Sequence, residues 1–295
     1  MAHAIFLGLT TVDIIYEVKR LPELNEKIVA IKHEMHGGGP ATNAAITCAF
    51  LGGKATLVSA VGEHSLSPIV RNELDSLHVT HIDLSPEAHD PPPISSILVT
   101  AETGERAIIS AHATRAKIPA EQFDVAVLNQ CSLLLVDGHQ MECALSAAKL
   151  AKTQGVPVVL DGGSWKQGTD ELLGFVSYAI CSADFHPPGI AGLREMIDYL
   201  LQKGSEAVAI TRGADPILWA TRSGQGEVRV PRVRATDTLG AGDIFHGAFC
   251  YYLMNSNSFQ EALEQAAKVA AYSCGFFGTR AWMETWPKPG DDPLK

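Results

Sequence analysis

The chain has 295 residues, 46% of them hydrophobic and 19% charged. That balance excludes a disordered or fibrous protein and gives room for one large α/β domain, alone or carrying a small one. The net charge of −10 argues against nucleic acid or an anionic membrane as a partner, although a phosphate group can still be held by local dipoles and metal ions.

In chain order, "MAHAIFLGLTTVDII" lacks a basic region and a small-residue cleavage site, so it reads as a first strand rather than an export signal. A helix follows in "ATNAAITCAFLGG", ended by Gly52 and Gly53. "ATLVSAV" is a strand and "SPIVRNELDSL" a helix. The short runs "LLLVD", "VPVVLD", "YAICS" and "AVAIT" are strands, with helical patterns such as "MECALSAAKLAKTQG" and "LREMIDYLLQKG" between them. This alternation predicts an α/β fold with a doubly wound, mostly parallel sheet. Two helices close the chain, at about 241–255 and about 258–275.

The rhythm breaks in residues 14–35 and 94–110, where "IIYEV", "KIVAIKHEM", "ISSILVT" and "RAIIS" have no helices between them. They read as a small second sheet over one end of the main domain, or as two surface hairpins. The main domain is then 1–13, 36–93 and 111–295. A small sheet cannot bury its apolar residues alone, so Ile14, Ile28, Ile97 and Val99 are candidates for the buried face of a homodimer. The six cysteines, at 48, 131, 143, 181, 250 and 274, form no C-x-x-C pair and no zinc spacing. No apolar run approaches the length of a membrane span. A soluble protein of the reducing cytoplasm is expected.

In an open parallel sheet, ligands bind beyond the carboxyl ends of the strands. Asp13, Asp137, Asp161 and Asp184 lie at or just past such ends, as helix caps or as site residues. "ATDTLGAGDIFHGAF" (235–249) places Gly240 and Gly242 directly before a helix whose apolar residues begin at Ile244. The start of a helix offers free N–H groups and a partial positive charge, which suit an anion. Asp243 there is either a helix cap or a base. Neither a G-x-x-x-x-G-K-[ST] loop nor a G-x-G-x-x-G fingerprint is present. What remains is an anion pocket of Gly240, Ala241 and Gly242 N–H groups beside a carboxylate, which suits phosphoryl transfer to a hydroxyl. Asp237 is placed to pin the loop through its N–H groups. A second glycine cluster, "HGGGPATNAA" (36–45), allows close approach by a ligand, with Asn43 as a two-way hydrogen-bonding group for a polyhydroxyl molecule.

Together, "DTLGAGD" (237–243) and "GGGPATNAA" (37–45) resemble the two signatures of the ribokinase-like (PfkB) carbohydrate kinase family, and the likeness runs along nearly the whole chain. "LLLVDGHQ" and "EALEQAAKVAAYSCGFFG" resemble its ketohexokinase branch. The resemblance implies a ribokinase-like fold in which the small sheet is a lid. It also implies ATP and Mg²⁺ as cofactors and a primary hydroxyl of a small sugar, ketohexose or pentose, as acceptor. Asp243 would be the base and Gly240 to Gly242 the anion hole. Asp13, Gly38, Gly39 and Asn43 would hold the sugar, with Arg106 and Asp137 beside them. Thr211, Gly213, Asp237, Gly240, Gly242, Gly275 and Gly278 would line or flank the ATP site.

Three departures stand out. The family's N-x-x-E element, which organises Mg²⁺ through water, is replaced by "CSAD", leaving only Asp184 for the metal. Pro40 stands where the ketohexokinase branch has asparagine. "AHATRA", with His112 and Arg115, replaces the usual small residues after the last lid strand. No pair among His36, His112, His139 and His246 has metal-ligand spacing. His246 reads as a packed or capping residue, and His139 as the best substrate contact of the four. A nucleoside kinase of the same fold needs a larger apolar pocket, and Tyr16 is the only aromatic on the presumed lid strands. A sugar sensor without turnover is the remaining alternative, against which the intact "GAGD" counts.

Overall fold

The computed structural model describes residues 2–111, 118–129, 131–256 and 258–287; His112 and Arg115 lie outside them. The first elements are β1 (His3–Leu7), β2 (Thr11–Val18), β3 (Lys32–Gly38), α1 (Pro40–Phe50), β4 (Lys54–Ser59), α2 (Ser67–Ser76) and β5 (Thr80–Asp83). Next come β6 (Ile94–Thr100), β7 (Arg106–Ala111), β8 (Leu133–Val136), α3 (Met141–Thr153), β9 (Val158–Gly162), α4 (Thr169–Leu173) and β10 (Tyr178–Ser182). The last are α5 (Leu193–Lys203), β11 (Ala207–Arg212), β12 (Asp215–Thr221), β13 (Gln225–Val228), α6 (Ala241–Ser256), α7 (Phe259–Ser273) and α8 (Trp282–Thr285).

Nine strands form one sheet in the order β13-β12-β11-β10-β9-β8-β1-β4-β5. It is parallel from β5 to β11, and β12 and β13 add an antiparallel edge that the sequence reading did not anticipate. The strands read as continuous apolar runs because both faces are covered. Ala4 and Phe6 of β1 point into the core under α1, α6 and α7, whereas Ile5 and Leu7 point into the core under α3 and α5. Each such large side chain stabilises the fold by about 1.5–3 kcal/mol. All six cysteines are free and five are buried. Among the described residues no helix is long and apolar enough to cross a membrane.

The second sheet has the order β3-β2-β6-β7, with β2 and β6 parallel and the outer pairs antiparallel. Its strands start and stop elsewhere than expected. Asp13 lies within β2, not at the end of the first strand, because pairing with β3 begins at Thr11 opposite Gly38. The stretch before Lys32 is not strand. Ile15, Ile97 and Val99 face inward and pack with Leu239 and Phe277 of the main domain. Ile97 and Val99 are therefore buried within their own chain, and Ile28 lies outside any strand. They drop out as dimer-face residues. The alternation puts Ile14, Tyr16, Met35, Leu98 and Ile109 on the outer face, where Ile109 is 73% exposed.

Two helices meet more closely than side chains normally permit. A Cβ at Gly247 of α6 would overlap the Ala44 carbonyl oxygen of α1 and stand 2.8 Å from Thr47 Cβ. The obstruction is backbone, which cannot swing away. Gly247→Ala is therefore expected to lower the unfolding free energy by about 1–3 kcal/mol through overpacking, despite the better helix propensity of alanine. Denaturant titration checks this, and an unchanged midpoint would show the two helices to be free to separate.

Candidate active site

The helix α6 begins at Ala241, just after Gly240 turns the chain at φ +67°. Ala241 N–H donates to the Thr238 carbonyl at 3.3 Å. The N–H groups of Gly242 and Asp243 have no acceptor among the described residues. A Cβ at Gly242 would meet nothing within 4 Å, and its backbone is not in the left-handed region. Neither packing nor dihedral strain inside the chain requires glycine there. The space it leaves is part of a cavity of about 460 Å³ lined by Thr211, Gly213, Val233, Ala241, Gly242 and Phe245, together with alanines of α7. A cavity that ends on free helix N–H groups is suited to a ligand with an apolar body and an anionic end.

Of the residues expected at the ATP site, Thr211, Gly213 and Gly242 line this cavity. Asp237, Gly240, Gly275 and Gly278 do not line the cavity. Asp237 is 2% exposed and its carboxylate accepts from Leu239 N–H and Gly278 N–H, each at 2.9 Å. It pins the loop, as an Asx-turn would. Gly278 faces Glu34 and Ile15 of the small sheet, Gly240 faces Thr279, and Gly275 turns the chain after α7. The segment 230–235 contributes five lining residues, and nothing in its sequence spacing announced them.

Beside the free N–H groups, the half-buried Asp243 accepts from Asn43 Nδ2 at 2.8 Å. Enclosure by protein raises its carboxyl to about 7, and the carboxylate of Asp161 pushes the same way, against the pull of Asn43 and His246. Asp161, 6% exposed, is itself raised by burial, and its Oδ2 has no hydrogen bond. It stands 3.4 Å from His246 Nδ1. His246 packs as expected, its Nδ1 2.7 Å from the Gly242 carbonyl and its Nε2 3.1 Å from that of Ile180.

The other sugar candidates divide. Asp13 is 7% exposed, accepts from the Thr11 hydroxyl at 2.6 Å and pairs across the sheet with His36 and Ser95. Gly38 lies against it so closely that any Cβ would overlap the carboxylate. Gly39 turns into α1 at φ +94°, against the Leu9 carbonyl. Asp137 is 2% exposed, and its carboxylate accepts from Leu9, Ala41 and His139 N–H at 2.8, 3.3 and 2.9 Å. That is a framework role, holding the start of α1 against β8. Arg106 reaches the Thr238 hydroxyl at 2.6 Å, at the loop before α6 rather than at Asp13. Asp184 is exposed just past β10, outside the cavity lining. Among the described residues no cluster of His, Cys, Asp or Glu could hold a metal ion by itself.

The pfkB family carbohydrate kinase profile matches residues 1–286. The chain belongs to that family. It is 27% identical over 294 residues to deoxyribokinase of Salmonella typhimurium, with 93% of each chain covered. Ketohexokinase of Mus musculus is 23% identical over 291 residues, covering 92% of this chain and 96% of that one, so the ketohexokinase branch is not singled out. A ribokinase II from E. coli, solved in complex with ATP and Mg²⁺, superimposes with a TM-score of 0.81 at 18% identity, covering 97% of this chain and 98% of that one. That likeness establishes a shared fold.

Because Gly242 is open inside the protein, Gly242→Ala is expected to fold normally, with stability unchanged or raised by up to about 1 kcal/mol. The methyl group would occupy the space above the N–H groups, so the affinity for ATP is expected to fall about tenfold or more, a loss of roughly 1.4 kcal/mol. Calorimetric titration with ATP measures it. Wild-type affinity would mean that the phosphates lie elsewhere.

Proposed function

We propose that this chain transfers the terminal phosphoryl group of ATP to a primary hydroxyl of a small sugar, a pentose or ketohexose, with Asp243 as the base. One observation carries the reading: a cavity lined by Gly242 ends where the N–H groups of Gly242 and Asp243 are free, next to a carboxyl that burial raises to about 7. A base poised near working pH takes the hydroxyl proton effectively. The N–H groups of Gly242 and Asp243 stabilise charge on the transferring phosphoryl oxygens as the hydroxyl oxygen attacks in line. Asn43 orients the carboxylate, and Asp13, backed by Gly38 and Gly39, accepts hydrogen bonds from the sugar. Arg106, on the lid, lies at the phosphate end. The pentokinase names among the relatives support a pentose, and Pro40 offers no side-chain donor to a ketohexose.

The residues present fit Mg²⁺ as an ion carried on ATP, since none among the described residues form a metal cage and Mg²⁺ keeps several waters in such sites. Bound there, with Asp184 as the candidate the sequence offers for an outer contact, it would neutralise phosphate charge. A nucleotide in the cavity and a sugar under the small sheet would meet at Asp243, which supports the lid role for residues 14–35 and 94–110.

Asp243→Asn is expected to lower kcat by about 10²–10⁴-fold, the usual worth of a positioned base. Since the base must be ionised and its folded-state value lies above the ordinary range, kcat/KM is expected to rise with pH through about 7. Asp161→Asn removes a like charge and is expected to move that limb to lower pH. Steady-state rates from pH 5 to 9, read by ADP release with ribose, deoxyribose, fructose and adenosine, test the base and the acceptor together. A flat profile, or turnover only with adenosine, would overturn the reading.

The outer apolar face of the lid supports a homodimer through Ile14, Tyr16, Met35, Leu98 and Ile109. Ile109→Asp is expected to give monomers by light scattering at micromolar concentration; a wild type that is already monomeric removes the dimer.

A further inference from the structure

Arg280 lies just before α8, far from either signature in sequence, yet it touches the heart of the site. Its Nε donates to Glu73 Oε1 at 2.8 Å and its Nη2 to the Gly37 carbonyl at 2.6 Å. Its Nη1 donates to Asn43 Oδ1 at 2.9 Å and to its neighbour's carbonyl, that of Thr279, at 3.3 Å. The side chain is 11% exposed and Glu73 is 14% exposed. Glu73 Oε2 in turn accepts Gly37 N–H at 2.6 Å, and its Oε1 lies 3.4 Å from His36 Nδ1. Four of the five N–H donors of the guanidinium are taken by protein acceptors, which fixes the plane of its fork.

An asparagine amide has a donating and an accepting end, and only its partners decide which way it points. Arginine carries donors alone, so it can hold Asn43 only by the oxygen. That leaves Nδ2 directed at Asp243, 2.8 Å away. Reversing the amide would set two oxygens against one another at Asp243 and two sets of N–H donors against one another at Arg280. We infer that Arg280 is a positioning residue for phosphoryl transfer, fixing the Asn43 amide and through it the Asp243 carboxylate. A lysine cannot reproduce the role, because its three donors radiate from one nitrogen and do not span the planar fork that reaches Glu73, Asn43 and Gly37.

The inference rests on Asp243 being the base, and a double-mutant cycle separates the two claims. Arg280→Ala and Asn43→Ala are each expected to lower kcat by about 10- to 100-fold, the range for a lost bond to a charged group. KM for ATP is expected to stay within about twofold, because the nucleotide cavity is lined by neither residue. The double variant is expected to be no worse than Asn43→Ala alone, within about threefold. Arg280→Ala is also expected to move the acidic limb of kcat/KM to higher pH, since an unheld Asn43 donates less to the base. Asp243 faces Asp161, His246 and Asp13 as well. The charge of Arg280 also bears on Asp13, an effect that persists without Asn43 and therefore shows as the additive part of the cycle.

Additive losses, or an acidic limb that does not move, would overturn the inference while Asp243→Asn remained inactive. Normal turnover by Asp243→Asn would instead remove the reading beneath it. Circular dichroism melts establish that each variant is folded. If Arg280→Ala is not, Arg280→Lys and Arg280→Gln replace it in the same cycle, with Lys expected to recover little of the rate.

Discussion

The site depends on one close approach. Where Gly247 of α6 crosses Ala44 of α1, the two backbones are nearer than any side chain would allow. Asn43 adjoins Ala44 and Asp243 lies one turn before Gly247, on the same pair of helices, so the tight crossing holds the ends of their 2.8 Å bond together. Interiors pack like crystals and have little compliance, so a displacement at Gly247 cannot be absorbed before it reaches the carboxylate. The glycine is a packing residue that bears on the geometry of the Asn43 and Asp243 pair.

The electrostatics run in the opposite direction to stability. Asp13, Asp161 and Asp243 are each raised above the ordinary carboxylate range, first of all by burial. Ionising them in the same neighbourhood costs free energy that the apolar layers on either side of the sheet offset. Arg280 and His36 supply positive charge on the acceptor side and His246 lies beside Asp161. Functional sites are where such opposition persists, because a base with an unperturbed value near 4 would be too weak to take a hydroxyl proton at neutral pH.

Much of this was legible in the sequence. Apolar runs of strand length alternating with helical patterns give the parallel sheet, since both depend on local periodicity. The two glycine clusters marked the start of α6 and of α1, and Asp243 and Asn43 are joined as neighbours there. Other features were hidden for physical reasons. Asp13 was assigned to the wrong strand because "LTTVDII" is extended throughout and nothing in it marks the change from β1 to β2. Asp137 looks like a ligand residue and Asp237 like a loop pin that the family resemblance also sets at the ATP site; a carboxylate serving backbone N–H groups has the same sequence signature as one awaiting a hydroxyl. Ile97 and Val99 were assigned to a dimer face because alternation gives two faces without saying which is covered. Arg280 had no local signal, since its meaning lies entirely in residues more than 200 positions away.

Those separations have a consequence for how the protein comes into being. Arg280 bonds Gly37 across 243 positions, Asn43 across 237 and Glu73 across 207, while Asn43 and Asp243 are 200 apart. Contacts of such range form late, because loop closure must precede any gain from them. During synthesis the N-terminal strands and α1 leave the ribosome long before α6 and Arg280. The nascent protein therefore carries an acceptor half whose key amide has no fixed direction until the last segment docks. Order at the Asn43 and Asp243 pair therefore belongs to the tertiary structure as a whole and to neither segment alone.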